Sequence, residues 1–192
     1  SSPNGVRRSA LPLTHGKARA DNEPHPRRRL STTRCCHHPA FAHSRVKDFA
    51  QRQRDSLHEF EVELIDGLIA GQKLIPVNTA GCYVPGGRYA HAASAIMSVC
   101  TAKVAGVPNI VATSPGHKEA GVNPAILHTM KLCGADTVLA LGGVQGIAAM
   151  AFGLYSAKPA DVIVGPGNRF VAEAKRTLFG RIGIDVVAGP TE

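Results

Sequence analysis

Residues 161–175, DVIVGPGNRFVAEAK, pass from a strand through a turn into a helix. The run 162–164, Val-Ile-Val, is apolar and β-branched, which favours a buried parallel strand. Gly-Pro-Gly at 165–167 breaks the chain in a tight turn, and apolar residues then recur at helical spacing. Such a turn exposes backbone N–H groups at the helix N-terminus, which suits an anionic or polar ligand.

Asn168 stands where the N-cap residue of this helix belongs. Two interpretations are open: Asn168 only caps an ordinary strand–helix turn, or it belongs to a ligand-binding corner. Taken alone, the segment favours the first.

The charge of the chain is uneven. Residues 1–47 hold ten Lys or Arg against two Asp or Glu, whereas the remaining residues hold twelve of each. The formal net charge of +8 therefore belongs to the N-terminal quarter, and we predict no nucleic-acid surface on the folded part. No apolar run reaches the roughly 18 residues of a spanning helix, and no secretory signal is visible. We predict a cytoplasmic protein without a membrane segment.

Residues 1–43 contain an Arg triplet and five Pro without sustained periodicity, which predicts a disordered basic tail. A transit peptide or a non-native lead-in is the alternative. Adjacent Cys and His at 35–38 make a poor metal site, because neighbouring ligands cannot readily face one ion. The five Cys show no zinc-finger or CxxC spacing, and we predict Cys100 and Cys133 as small core residues in a reducing compartment.

The folded part, residues 44–192, begins with a predicted amphipathic helix over 46–64 that Asp66-Gly67 ends. Residues 72–77 and 81–84 read as two strands joined by a hairpin-like turn at 78–79. Strands and helices then alternate, which predicts an α/β, Rossmann-like parallel sheet with helices on both faces. The predicted helices are 92–105, 124–133 and 145–152, the last two closed by Gly134 and Gly153, and the predicted strands are 109–113, 137–140, 162–164 and 184–187.

Ligands of such sheets bind beyond the carboxyl ends of the strands, where glycine turns recur in this chain. Polar or aromatic side chains at these turns are fit to orient a ligand. Tyr83 suits stacking on a planar ring, and Gln145 and Asn168 suit hydrogen bonds to amides or hydroxyls; a strand-end Tyr and two helix caps are the alternatives. The rim residues are Tyr83, Arg88, Tyr89, His91, Gln145 and Asn168, while His117 and His128 are predicted to lie on the surface. No GxGxxG fingerprint, Ser/His/Asp arrangement or paired carboxylates accompany them.

Five ordered motifs between residues 46 and 192 resemble the histidinol dehydrogenase family: GCYVPGG (81–87), TAKVAGV (101–107), LGGVQGIAAMAFG (141–153), GPGNRFVAEAK (165–175) and AGPTE (188–192). The resemblance implies a homodimeric, zinc-dependent enzyme of histidine biosynthesis that oxidises L-histidinol to L-histidine in two NAD-linked steps. It implies that Tyr83, Gln145 and Asn168 contact NAD. It also implies that Thr191 contacts the substrate, at a position where the family usually has Ser.

The segment around Arg88, GGRYAH, departs from the small residues and Pro-Ser of the biosynthetic enzymes. It is more similar to the paralogous branch of sulfopropanediol 3-dehydrogenases, which oxidise a sulfonated diol. A guanidinium suits a sulfonate because it forms charge-assisted, bidentate hydrogen bonds. Arg88 is therefore a second candidate for substrate binding.

Members of the family are much longer than this chain, and the resemblance places their zinc ligands and Glu–His acid–base pair beyond residue 192. We therefore expect no catalytic and no metal-binding residue here, a fold that is incomplete relative to the family, and no turnover by the chain alone. The competing hypotheses are a non-catalytic nucleotide-binding module and a nucleic-acid-associated protein acting through the basic tail.

Overall fold

The computed structural model of the chain describes residues 32–86, 89–117 and 121–186. Arg88 and Thr191 lie outside these ranges, as do residues 1–31 of the predicted tail. The helical elements are α1 (Thr32–Asp55), α2 (Ala92–Ala95), a π-helical segment (Ile96–Cys100), α3 (Thr101–Val104), α4 (Pro124–Cys133), α5 (Gly143–Phe152) and α6 (Arg169–Leu178). The strands are β1 (Phe60–Ile65), β2 (Leu68–Gln72), β3 (Thr79–Tyr83), β4 (Asn109–Thr113), β5 (Gly116–His117), β6 (Gly121–Val122), β7 (Thr137–Leu139), β8 (Val162–Val164) and β9 (Gly183–Ile184).

Five parallel strands form the main sheet in the order β7-β4-β3-β8-β9. The register aligns the carboxyl ends of its inner strands, because Tyr83 lies opposite Thr113 and Thr113 opposite Leu139. On the other side of β3, Cys82 lies opposite Val164. The predicted α/β parallel sheet is thereby confirmed, and the loops after these strands meet along one rim.

Both faces of the sheet are covered, as the alternation along β3 shows. Ala80 and Cys82 belong to a core shared with α1, the helix 92–104 and α4. Tyr83 belongs to a second core shared with α5 and α6. A strand buried on both faces is typical of parallel sheets, and all five residues of β3 are buried.

Helix α4 has the bounds that its terminal residues predict. The side chain of Asn123 accepts a hydrogen bond from the N–H of Ala125, Pro124 occupies the first turn, and Gly134 ends the helix with φ 92°. Residues 92–104 form one continuous helix, as predicted, although its middle third is π-helical, which the composition does not reveal.

The predicted core cysteines are confirmed as buried free thiols. Cys100 and Cys133 lie in the core beneath α1 and α4, together with Cys82 of β3. Burial, together with the nearby thiols of Cys100 and Cys82, raises the pKa of the Cys133 thiol to about 12. These thiols are therefore protonated at neutral pH.

The predicted helix over 46–64 is wrong at both ends. Helix α1 begins at Thr32, inside the stretch 1–43 that composition predicts to be a tail, and it ends at Asp55. Residues 60–65 form β1 instead, which pairs antiparallel with β2. The sequence FEVELI alternates apolar and acidic residues, and this period of two outweighs the helical spacing of its apolar members. Asp66-Gly67 is accordingly a hairpin turn, with Gly67 at φ 79°.

The predicted hairpin between 72–77 and 81–84 is also wrong. Leu68–Gln72 pairs with β1, and β3 pairs in parallel with β4 and β8. The turn at Asn78 leads β3 to its parallel neighbour, since the Asn78 carbonyl accepts hydrogen bonds from both the backbone and the side chain of Asn109. A strand as buried as β3 needs partners on both edges, which a hairpin with an exposed segment cannot supply.

Within the described residues, no helix is both long enough and apolar enough to cross a membrane.

Candidate functional site

A cleft of about 640 Å³ lies at the carboxyl ends of β3, β4, β7 and β8. We call it the rim cleft. It is bounded by two turns, the β7–α5 corner (residues 140–143) and the β8–α6 corner (residues 165–168). Its lining consists of glycines and prolines of the strand-end turns, together with Tyr83, His91, Ser94, Gln145 and Asn168.

The three residues predicted to contact a cofactor line this same cleft. Tyr83 comes from β3, Gln145 from the first turn of α5 and Asn168 from the start of α6. The aligned strand ends bring them together from positions more than 80 residues apart in the sequence. Their contact with a cofactor remains a prediction.

Tyr83 connects two walls of the cleft. Only 3% of the residue is exposed, and its hydroxyl oxygen accepts a hydrogen bond of 3.0 Å from the backbone N–H of Gly143. The ring is therefore packed into the core beneath α5 and offers only a small part of its surface to a ligand. A hydroxyl that accepts one hydrogen bond keeps its own hydrogen for donation to a further acceptor.

Asn168 caps helix α6. Its Oδ1 accepts hydrogen bonds of 3.0 Å and 3.1 Å from the N–H groups of Phe170 and Val171. The capping interpretation is thus correct, and it is compatible with ligand binding because the side-chain amide keeps two N–H donors. Asn168 is fit to donate to a ligand oxygen, and its oxygen is already engaged.

Gln145 is exposed in the first turn of α5, and its Oε1 lies over Gly143, where an added Cβ would be 3.4 Å away. The N-cap of this helix is Gly142, which has no side chain to bind the first N–H groups. Tyr83 accepts from one of these groups, and the others are orphan donors of a helix N-terminus that a ligand can satisfy.

The glycines of the rim turns pack closely against neighbouring segments and admit no side chain. A Cβ on Gly142 would lie 2.6 Å from Cγ of Pro115. A Cβ on Gly165 would overlap the carbonyl oxygen of Tyr83, and one on Gly167 would overlap Val171. These close approaches explain why the turns around the rim cleft require glycine.

Sequence reasoning missed Thr113, which fixes the β7–α5 corner. Its buried Oγ1 donates to the carbonyl of Leu141 at 2.6 Å and lies 3.2 Å from that of Leu139. The only local signal was a hydroxyl residue at the end of an otherwise apolar strand.

Sequence reasoning also missed an ion pair at the β8–α6 corner, between a buried lysine and a partly exposed aspartate. The ammonium of Lys175, a residue only 4% exposed, contacts the Asp185 carboxylate and donates to the carbonyl of Gly165 at 3.2 Å. The second oxygen of Asp185 accepts from the N–H of Gly165 at 2.9 Å. Burial raises the pKa of Asp185, but hydrogen bonds from Lys175, Gly165 and Val186 outweigh this and hold the pKa below its usual value. Helical periodicity offered a signal, since Lys175 follows the buried Val171 by one turn.

The other residues predicted at the rim or on the surface differ in whether they line the cleft. His91 and Ser94 line the cleft, and the His91 side chain does not cap its helix. Tyr89 is exposed and is not part of the lining. His128 is exposed, as predicted, whereas the side chain of His117 lies outside the described set. No group of three or more His, Cys, Asp or Glu within the described ranges is placed to hold a metal ion.

Comparison with known proteins identifies the family to which this chain is similar. A family model described as histidinol dehydrogenase matches residues 33–192, which extends further towards the N-terminus than the motifs. A histidinol dehydrogenase homolog from Pelagibacter ubique is 65% identical over 153 residues, covering 79% of this chain and 36% of that protein. A sulfopropanediol 3-dehydrogenase from Ruegeria pomeroyi is 60% identical over 152 residues, covering 79% of this chain and 35% of that protein.

The fold is similar to that of a solved enzyme. The crystal structure of histidinol dehydrogenase from Elizabethkingia anophelis matches with a TM-score of 0.76 at 32% identity, over 84% of this chain and 37% of that chain. This chain spans little more than a third of the length of these proteins. Because the family model covers nearly all of the described residues and a solved member has the same fold, the chain belongs to the histidinol dehydrogenase family.

Proposed function

We propose that this chain forms the NAD-binding part of an oxidoreductase that acts on the CH–OH group of a small alcohol. The observation that carries the proposal is the convergence of Tyr83, Gln145 and Asn168 on the rim cleft. The family consists of NAD-dependent oxidoreductases, which supports the choice of ligand. The cleft lies where ligands of parallel α/β sheets bind.

The lining residues fit the parts of a dinucleotide. The amide of Asn168 and the hydroxyl of Tyr83 are donors for ribose or phosphate oxygens, and Gln145 offers both a donor and an acceptor. The N-terminal N–H groups of α5 suit the pyrophosphate. Bound NAD supplies the hydride acceptor for oxidation of the alcohol, and the role of these residues is to bind and orient it.

The zinc of the family has no such fit among the described residues, which offer no cluster of suitable ligands. We therefore assign no metal-dependent step to them. We propose that the 192-residue chain by itself does not oxidise an alcohol, because the residues that the structure describes offer no cluster for the zinc of the family. Formation of NADH from histidinol by the purified chain would contradict this expectation.

Two alcohols are candidates for the substrate of the complete enzyme. The first is L-histidinol, as the family name indicates, and the second is a sulfonated diol. The Arg88 segment and the 60% identity to a sulfopropanediol 3-dehydrogenase favour the second. We propose Arg88 and Thr191 as substrate contacts, a homodimer as the assembly and the cytoplasm as the compartment.

Calorimetric titration of the purified chain with NAD tests the cofactor proposal. We expect saturable binding in the wild type and at least tenfold weaker binding in Gln145→Ala and Asn168→Ala. Gln53→Ala is the matched control, because Gln53 lies on α1 outside the rim cleft and its loss should leave the affinity unchanged. Binding that none of these substitutions alters would refute the assignment of the cleft.

Titration of the NAD-saturated protein with each of the two alcohols tests which one is the substrate. The proposal of a sulfonated diol predicts that dihydroxypropanesulfonate binds more tightly than histidinol and that Arg88→Ala removes this difference. Tighter binding of histidinol, unaffected by Arg88→Ala, would return the assignment to the biosynthetic substrate.

A further inference from the structure

The β8–α6 corner is held by a charged network in addition to its glycines. Both backbone polar groups of Gly165 are engaged by one ion pair: the carbonyl accepts from Lys175 and the N–H donates to Asp185. Asp185 lies in the segment directly after β9 and also accepts from the N–H of its neighbour Val186, so its carboxylate joins that segment to the corner. Three separate parts of the chain thus meet at one point.

A buried charge at position 175 lowers the stability of the fold unless specific interactions compensate for its lost hydration. Lys175 lies one helical turn after Val171, whose side chain is fully buried. A Leu or Met at position 175 would fill this space without the cost of desolvation. The charged pair is therefore poorly explained by packing alone.

The charged network holds Gly165, whose position affects the shape of the rim cleft. Gly165 has φ 122° and presses against the Tyr83 carbonyl so closely that no Cβ fits between them. Asn168 follows three residues later and begins α6. A shift of Gly165 therefore changes the distance of Asn168 from Tyr83, and with it the width of the rim cleft.

We propose that Lys175 and Asp185 are positioning residues for the cofactor: together they fix Gly165 so that Asn168 faces Tyr83 and Gln145 across the rim cleft. Neither residue lines the cleft, and both act through the β8–α6 corner. The inference rests on the proposed NAD-binding function and adds to it the residues that preorganise the site.

NAD titration of Lys175→Met tests the inference. The substitution keeps an unbranched side chain, one atom shorter, and removes both hydrogen bonds of the ammonium, so we expect NAD affinity to fall at least tenfold. The neutral double variant Lys175→Met/Asp185→Asn leaves no unpaired buried charge, which protects the test against a failure to fold. Because the two residues act as one unit, its loss of affinity should equal that of Lys175→Met and not exceed it.

Ile126→Ala is the control for a general loss of stability. Ile126 is fully buried in the core on the opposite face of the sheet, and its truncation removes packing without touching the corner. NAD affinity measured below the melting transition should be unchanged in this variant. Equal weakening in Ile126→Ala and Lys175→Met, or wild-type affinity in the Lys175 variants, would overturn the inference.

Amide NMR spectra separate this inference from the proposed function. In Lys175→Met, the amide resonances of Gly165, Gly167 and Asn168 should move, whereas those of α4 should stay in place. If the wild type does not bind NAD, the proposed function fails, and these resonances still decide whether Lys175 fixes the corner. Unmoved corner resonances would overturn the positioning role whatever the NAD result.

Discussion

The hydroxyl of Tyr83 and the backbone N–H of Gly143 form a 3.0 Å hydrogen bond that joins the end of the central strand to the start of α5. This contact spans 60 residues of sequence and joins two residues that line the rim cleft. Tyr83 therefore stabilises the start of α5, in addition to any contact that it makes with a ligand. The rigidity of the cleft thus depends on side chains as well as on its glycines.

Tyr83→Phe tests this contact. The substitution removes the acceptor of the Gly143 N–H and should lower the free energy of unfolding by about 1 kcal/mol, the usual net value of one hydrogen bond. Urea denaturation measures the change. Tyr155→Phe is the matched control, because Tyr155 is 70% exposed in a turn after α5 and its hydroxyl should contribute little. Equal stability of the two variants would show that the hydroxyl of Tyr83 does not stabilise the corner.

Thr113→Val tests the β7–α5 corner. The change keeps the shape of the side chain but removes the donor to the carbonyl of Leu141, and we expect the free energy of unfolding to fall by about 1 kcal/mol because a partly buried acceptor loses its partner. Thr129→Val is the control: the hydroxyl of Thr129 donates to the carbonyl of Ala125, which a helical N–H also serves. Chemical denaturation should therefore show a much smaller loss for Thr129→Val, and a similar loss in both would contradict the argument.

Asp185→Asn should show a pH-dependent loss of stability. The pKa of Asp185 is lower in the folded chain than its ordinary value of 3.8, so the carboxylate binds its proton more weakly when folded. Its stabilising effect is complete above the unfolded pKa and disappears as the pH falls through the folded pKa. At pH 7 we expect Asp185→Asn to lower the free energy of unfolding by about 2 kcal/mol, since it leaves Lys175 buried without its partner.

The comparison of wild type and Asp185→Asn should be made by urea denaturation between about pH 3 and 7, where the difference should shrink on the acidic side. Glu173→Gln provides the control. Glu173 pairs with Arg176 on the surface of α6, and exposed pairs of this kind contribute little. A difference for Asp185→Asn that does not change with pH would show that the lost charge is not its cause.

The sequence predicted those elements that are determined by residues close together in the chain, and it failed where contacts between distant residues decide the structure. Helix α4 was predicted to the residue because Asn123, Pro124 and Gly134 act locally on their own backbone. The β1–β2 hairpin was missed because its apolar residues fit a helical face as well as an alternating strand, and nothing local separates the two in a segment that is exposed throughout.

The residues of the candidate site also fall into those that the sequence predicted and those that it did not. Tyr83, Gln145 and Asn168 were found because each stands beside a glycine turn at a strand end, and the parallel topology places such turns on one rim. The ion pair of Lys175 could not be predicted, because its partner is set by the register of β9 against β8. Burial of a lysine is a tertiary property, and the spacing along α6 only indicates which face it occupies.

Among the glycines that the structure describes, Gly165 is the one where we expect substitution by alanine to be most disruptive. Two costs add at this position: φ is 122°, a conformation that side chains rarely adopt, and the new Cβ would overlap the carbonyl oxygen of Tyr83. Gly106→Ala separates these costs, because Gly106 also has a positive φ, 86°, but has open space around its missing Cβ. We expect Gly106→Ala to lower the free energy of unfolding by about 1 kcal/mol, the cost of backbone strain alone. Gly165→Ala should lose several times as much, by about 3 kcal/mol or more in denaturant titrations, because β3 and the β8–α6 corner must move apart. If the two alanine variants were equally stable, the contact between Gly165 and Tyr83 would not be what requires glycine in this turn.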